Sequence, residues 1–178
     1  MKLHLGCGSK YLGNDWIHID ILKNENIDIV MDVRKLDFLN NNSIDEIYAC
    51  HILEHFKKNE VIDILKEWYR VLKPNGILRI AVPDFESIVK LYLTNKYDLS
   101  IFQGLIYGGN KNEYDIHYKV YDMKHLSNIL SNIGFKNIER YDWKDFLPKN
   151  YDDYSRAYIP HMDFENGVLV SLNIIAIK

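Results

Sequence analysis

The sequence predicts one α/β domain built on a mostly parallel sheet, and three observations predict it. Short β-branched runs alternate with stretches whose apolar residues recur every three or four positions, the pattern of strands covered by crossover helices. The chain has 178 residues, about the length of a single domain. Its composition, 47% hydrophobic and 26% charged with 4 prolines, is that of a packed core and not of a disordered chain.

Residues 3–5 form an apolar run that stops at Gly6-Cys7-Gly8-Ser9, a buried strand closed by a glycine turn. Residues 16–20 and 27–32 read as the next two strands, each ending in an aspartate, and 43–50 as the fourth, entered from Asn40-Asn41-Asn42. From Asn59 the period changes. Val61, Ile62, Leu65, Trp68, Tyr69 and Leu72 make the apolar face of a helix that Pro74-Asn75-Gly76 ends. Residues 77–82 are a fifth strand, closed by Pro83, and Asp84 caps a helix carrying Phe85, Ile88, Val89 and Leu91. Asp122 caps a last helix that runs to Ile133 and stops at Gly134, where a left-handed residue is favoured. Residues 135–141 and 168–177 complete the strands, with Asn166-Gly167 as a hairpin turn and Pro160 holding the segment before it to an edge. Segments 93–121 and 142–165 show no clear period.

Several function classes fall away at once. With 22 basic against 25 acidic residues the formal charge is -3, which gives no bulk attraction to nucleic acid. The longest apolar stretch, 168–177, is interrupted by Ser171 and Asn173 and falls well short of the roughly 20 residues of a spanning helix, so no membrane insertion is expected. The first residues leave no room for a leader peptide, and the expected location is cytoplasmic. Cys7 and Cys50 are far apart and outside any CxxC pattern, so they read as buried thiols, and no metal site is expected.

In a parallel sheet the ligand crevice lies beyond the carboxyl ends of the strands. The five strands here lead in turn into Gly6-Cys7-Gly8, Asp20, Asp32, the run His51-Ile52-Leu53-Glu54-His55, and Pro83-Asp84. Two glycines allow a ligand to approach the backbone closely. Asp20, twelve residues on, can accept hydrogen bonds from both hydroxyls of a ribose, and Asp32 can reach an adenine amino group or order the loop around it. A dinucleotide site would place a third glycine at Tyr11 and open a helix there, but no helix fits between Gly8 and Trp16. The better fit is a nucleoside without phosphates.

Together these segments resemble the class I S-adenosylmethionine-dependent methyltransferases. The matching pieces are residues 3–8, Asp20, Asp32-Val33, Ile44-Asp45-Glu46-Ile47 with His51 to His55, and Arg70-Val71-Leu72-Lys73-Pro74-Asn75-Gly76. The resemblance implies a Rossmann-like fold, mostly parallel with a final antiparallel strand, and S-adenosyl-L-methionine as cofactor. It implies Leu5, Gly6, Cys7 and Gly8 around the methionine part, Asp20 on the ribose, Asp32 and Val33 beside adenine, and His51 near the methionine amino group. The chain departs from the family in lacking the helix after the glycine motif and the helices before the first strand. Val82-Pro83-Asp84 and residues 153–162 are similar to small bacterial methyltransferases found beside surface-polysaccharide genes, which implies a saccharide or another small polar molecule as acceptor.

His51 to His55 also matches the H-x-x-E-H pattern of certain zinc peptidases. Ligation by both histidines needs a helix through them. Here the segment directly follows a strand and helical periodicity begins only near Asn59, so zinc hydrolysis is disfavoured. A protein that binds the cofactor without turnover is the other alternative.

Methyl transfer to a hydroxyl benefits from a general base, and histidine, with a pKa of about 6.5, suits that task. His55 is the first candidate, against a helix-capping role; His117 and His161 come next, from segments without regular structure. His4, His18 and His125 read as structural. Segments 93–121 and 142–165, rich in aromatics, Asp and Asn, are expected to select the acceptor. A second subunit in a homodimer could contribute the remainder.

Overall fold

A computed structural model describes residues 1–178. The central sheet contains β1 (Lys2–Leu5), β2 (Trp16–Asp20), β3 (Ile29–Val30), β4 (Ile44–Cys50), β5 (Leu72–Pro83), β6 (Lys136–Arg140) and β9 (Ser171–Ile177), in the order β3-β2-β1-β4-β5-β9-β6. The pairs β1/β2, β1/β4, β2/β3 and β4/β5 are parallel, while β9 runs antiparallel between β5 and β6. This is the expected mostly parallel sheet with an antiparallel last strand. The order reverses between β1 and β4, which opens a crevice beyond their carboxyl ends.

No helix links β1 to β2, β2 to β3 or β3 to β4. The helices are α1 (Val61–Val71), α2 (Phe85–Leu93), α3 (Ser100–Tyr107) and α4 (Met123–Ile133). The aspartates expected as caps do cap: Asp84 accepts from the Glu86 N–H and Asp122 from the His125 N–H. α1 and α4 lie on one face, where Leu65, Trp68, Leu126 and Leu130 pack with Leu3, Leu5, Ile47 and Ile80. The Trp68 indole donates to the Val33 carbonyl at 3.0 Å, which ties the turn after β3 to α1.

The second face has no such helices to cover it. Because neighbours on a strand point to opposite sides, it presents Trp16, Tyr48, Cys50 and Ala81. These are covered by Leu12, Leu147 and Tyr151, with Trp143 and Phe146 packed against them. Segment 142–165, expected beside the substrate, is thus largely a lid on the sheet. A face left bare by absent helices must bury its apolar side chains against something, and this aromatic segment supplies it.

Three further expectations are corrected. Residues 168–177 are not one strand: Val170 divides β9 from β8 (Val168–Leu169), which pairs with β7 (Tyr158–Ile159) in a separate two-stranded ribbon. Helix α1 ends at Val71, and Pro74-Asn75-Gly76 lies within β5, where the register against β4 shifts and Asn75 takes a left-handed φ of 64°. Segment 93–121 contains α3, whose start is marked by Asp98, which accepts from the Ser100 N–H at 2.9 Å.

Candidate active site

A cleft of about 600 Å³ opens at the carboxyl ends of β1, β2 and β4, within the range of small-molecule sites. Gly6 and Gly8 form its floor with φ of 62° and 55°. A Cβ on Gly6 would overlap Ile52 Cδ1, whereas one on Gly8 would point into open space. The turn is held by the Gly6 N–H, which donates to the Ile19 carbonyl at 2.8 Å. Leu5 and Cys7 lie behind this floor, both buried, and neither lines the cleft. Burial pushes the Cys7 thiol up to about 12, so it stays a neutral thiol.

Asp20 lies at the cleft wall with its carboxylate fixed by backbone donors. Oδ2 accepts from the Gly8 N–H and Oδ1 from the Leu22 N–H, both at 2.8 Å. Each oxygen keeps a second lone pair for a ligand hydroxyl. Asn24 donates to the Gly8 carbonyl at 2.6 Å and Asn26 to the Ser9 carbonyl at 2.8 Å, so the loop after β2 is laced to the glycine turn.

Asp32 also lines the cleft, but its carboxylate is engaged by Arg34, whose Nε reaches Oδ2 at 2.8 Å and whose Nη1 goes on to Glu60 at 2.9 Å. Desolvation acts to raise the Asp32 carboxyl, and the Arg34 hydrogen bonds outweigh it and hold it below the usual range. Val33 is buried beside it and contributes to the cleft wall.

His51, the first residue after β4, has a left-handed φ of 49°, a conformation a residue other than glycine keeps only where its surroundings enforce it. Its N–H donates to the Ala81 carbonyl at 2.8 Å, its Nε2 is 3.1 Å from Ser171 Oγ, and its Nδ1 is 3.2 Å from Glu54 Oε1. Tyr154 of the covering segment comes close here, its ring centroid 5.4 Å from that of His51.

His55 and His117, 62 residues apart in the chain, meet edge to face at 4.7 Å. His55 Nδ1 is 3.1 Å from the Ile116 carbonyl and His117 Nδ1 is 3.0 Å from the Leu105 carbonyl. A carbonyl only accepts, so both Nδ1 atoms carry the proton and each Nε2 presents a lone pair. Burial holds His117 below the ordinary histidine range. His161 is exposed, does not line the cleft and is not brought to this pair. The residue passed over in the sequence is Glu54. It is fully buried in the short turn Leu53–His55, facing His51, His55 and His117. Desolvation acts to raise its carboxyl, and the neighbouring histidines, His51 first, act against it and hold it below the glutamate range. The H-x-x-E-H pattern is the available signal, but it pairs His51 with His55, whereas the second histidine of this cluster comes from segment 93–121. That segment also gives the cleft Asn112, Glu113, Tyr114, Asp115 and Tyr118; none of the lining residues comes from 142–165.

The family model for a methyltransferase domain matches residues 3–80, from β1 into β5, including Gly6, Asp20, Asp32 and His51. No curated protein matches the chain. Among solved structures, a SAM-dependent methyltransferase of Archaeoglobus fulgidus aligns with a TM-score of 0.60 at 18% identity, over 99% of this chain and 85% of that one. The 1,6-didemethyltoxoflavin-N1-methyltransferase of Burkholderia thailandensis, which holds S-adenosylhomocysteine, aligns with a TM-score of 0.60 at 16% identity, over 99% and 70%. A SAM-dependent methyltransferase of Methanosarcina mazei aligns with a TM-score of 0.58 at 16% identity, over 99% and 91%. At such identities the likeness is one of fold.

Proposed function

We propose that this chain is a class I S-adenosylmethionine-dependent methyltransferase, a reading supported by the methyltransferase-domain match over residues 3–80 and by its fold, and that it methylates a hydroxyl oxygen of a saccharide or another small polar acceptor. The cofactor, when bound, supplies a methyl group already activated on a sulfonium. The residues of the cleft suit it: two glycines on the floor, one with open space where a side chain would stand, and Asp20 with both oxygens anchored and lone pairs to spare. In this reading Asp20 takes the ribose hydroxyls, Asp32 and Val33 border the adenine, and the backbone of Gly6, Gly8 and His51 surrounds the methionine part.

With the electrophile activated, the protein's remaining work is alignment and handling of the acceptor proton. The observation that carries the hydroxyl reading is the pairing of His55 with His117, each with its Nδ1 pinned and its Nε2 lone pair unused. His55 lines the cleft, so the acceptor hydroxyl is activated there. Asn112, Glu113, Asp115 and the rings of Tyr114 and Tyr118 give the same wall amide, carboxylate and aromatic groups suited to a polar ring. No helix is long and apolar enough to cross a membrane, and we place the reaction in the cytoplasm.

Calorimetric titration with S-adenosylhomocysteine tests the cofactor assignment: saturable binding at micromolar ligand is expected, and no binding at millimolar ligand overturns it. Formation of S-adenosylhomocysteine from the methyl donor, monitored across a panel of sugars, nucleotide sugars and small amines, tests the acceptor. Turnover with amines alone overturns the hydroxyl assignment, and binding without any turnover favours a non-catalytic role.

A further inference from the structure

We propose that Glu54, His55 and His117 form a binding site for a divalent first-row transition-metal ion of the zinc or manganese kind. The sequence alone points to no metal, because ligation by His51 and His55 would need a helix through both. The structure brings together a different set.

Glu54 is fully buried, and neither of its carboxylate oxygens has a hydrogen-bond partner. His51 Nδ1 lies 3.2 Å from Oε1 without meeting hydrogen-bond geometry. A buried carboxylate left without hydrogen bonds costs several kcal/mol, and positive charge beside it, of which a metal ion is the strongest source, offsets that cost. The Ile116 and Leu105 carbonyls hold the proton of each ring on Nδ1, which leaves Nε2 of His55 and of His117 as electron-pair donors, and His117 Nε2 is the atom that faces Glu54. Three electron-pair donors therefore converge, with one ligand atom from each residue inside 4.8 Å of the others. His117 Nε2 is 3.9 Å from Glu54 Oε1. Two ligands at 2.0–2.1 Å on a tetrahedral ion stand about 3.3 Å apart, so this pair closes by about 0.6 Å and no pair in the cluster by more than about 1.5 Å.

The surroundings are those of a built site. Metal-ligating histidines donate their other N–H to a carbonyl or carboxylate, which fixes ring and tautomer, and both rings here do so. The Tyr118 N–H donates to the Glu54 carbonyl at 2.8 Å, locking the turn that carries Glu54 and His55 to the segment that carries His117. Two imidazoles and one carboxylate suit zinc, iron, cobalt or manganese, whereas magnesium and calcium prefer all-oxygen shells. The role of the ion rests on the methyltransferase reading: with the His55 lone pair committed to it, the ion takes over activation of the acceptor hydroxyl from that histidine, lowering the hydroxyl's proton affinity, and the proton passes to water in the cleft.

The test is titration of the chelator-treated full chain with Co2+, monitored by visible absorption, and with Zn2+, monitored by calorimetry. S-adenosylhomocysteine binding is measured on the same samples. One equivalent is expected at micromolar affinity, with a weakening of at least 100-fold in Glu54→Gln and in His117→Ala and none in His125→Ala, a change at an exposed histidine on α4. Circular dichroism identifies any variant that fails to fold, and the other then decides. Absence of stoichiometric binding to the wild type overturns the metal site, as does affinity unchanged in a folded ligand variant. Metal failure with S-adenosylhomocysteine binding intact leaves the transferase reading standing, and loss of S-adenosylhomocysteine binding in the wild type overturns that reading instead.

Discussion

The hydroxyl of Tyr48 on β4 donates to Asp153 Oδ2 at 2.5 Å, joining residues 105 positions apart in a buried contact. Asp153 Oδ1 meanwhile accepts from the Ser155 N–H at 2.9 Å and the Ser155 hydroxyl at 2.6 Å. This carboxylate is the clasp that holds the covering segment on the sheet face. Tyr48→Phe leaves Oδ2 without its partner, and the expected loss of stability is about 1–3 kcal/mol, measured by urea unfolding. Hydrogen exchange in residues 143–157 should accelerate more than in α1, and a uniform acceleration would show that the clasp is not local.

Asp20 carries the cofactor assignment most directly. Asp20→Asn preserves shape but replaces one acceptor oxygen with a donor, against the Gly8 N–H or the Leu22 N–H. S-adenosylhomocysteine binding should weaken at least 10-fold, about 1.4 kcal/mol, and Asp20→Ala should weaken it further. Calorimetry with a circular-dichroism check of folding reads both, and wild-type affinity in folded Asp20→Ala would remove the ribose role.

Gly6 and Ile52 make a second, purely steric prediction. A side chain at Gly6 meets both a left-handed backbone and Ile52, whose Cδ1 the new Cβ would overlap. The backbone contributes about 1–2 kcal/mol and the overlap about 1–3 kcal/mol to the destabilisation of Gly6→Ala. Ile52→Ala removes Cδ1 and Cγ1, so the double variant should be more stable than the sum of the single losses by at least about 0.5 kcal/mol. Strict additivity in urea unfolding would show that the contact is relieved some other way.

The order in which these features are legible depends on their range. The strand ends and the glycine turn are local, and so are the caps: Asp122 and Gly134 delimit α4 in the sequence as they do in the fold. The lid role of 142–165 is not local. Trp143, Phe146 and Leu147 are read as cover only once the helices between β1 and β4 are known to be missing and Tyr48 is seen facing them. Glu54 is hidden for a related reason. Its neighbour His55 is adjacent in sequence, but the partner that completes the cluster, His117, comes after α3, and nothing local announces that this segment folds back over the turn. His161, by contrast, is a candidate on residue type alone, and its loop leaves it in solvent.

His4 gives the fold a pH dependence of its own. It lies on β1 in register with His18 on one side and Tyr48 on the other, 1% exposed, and its Nδ1 has no hydrogen-bond partner. Burial first, and the neighbouring His18 second, pull its pKa from 6.5 down to about 3. Below pH 6.5 the unfolded chain therefore takes up a proton that the folded chain refuses, so the stability this group contributes is complete above pH 6.5 and is lost as pH falls toward about 3. The slope is about 1.4 kcal/mol per pH unit, or about 2 kcal/mol between pH 6.5 and pH 5. His4→Phe keeps a flat ring beside Tyr48, removes the unpaired nitrogen and abolishes this proton uptake. Urea unfolding at pH 7, 6 and 5 should show the variant losing less stability than the wild type by that amount, and parallel curves would mean that His4 titrates in the folded state like a solvated histidine.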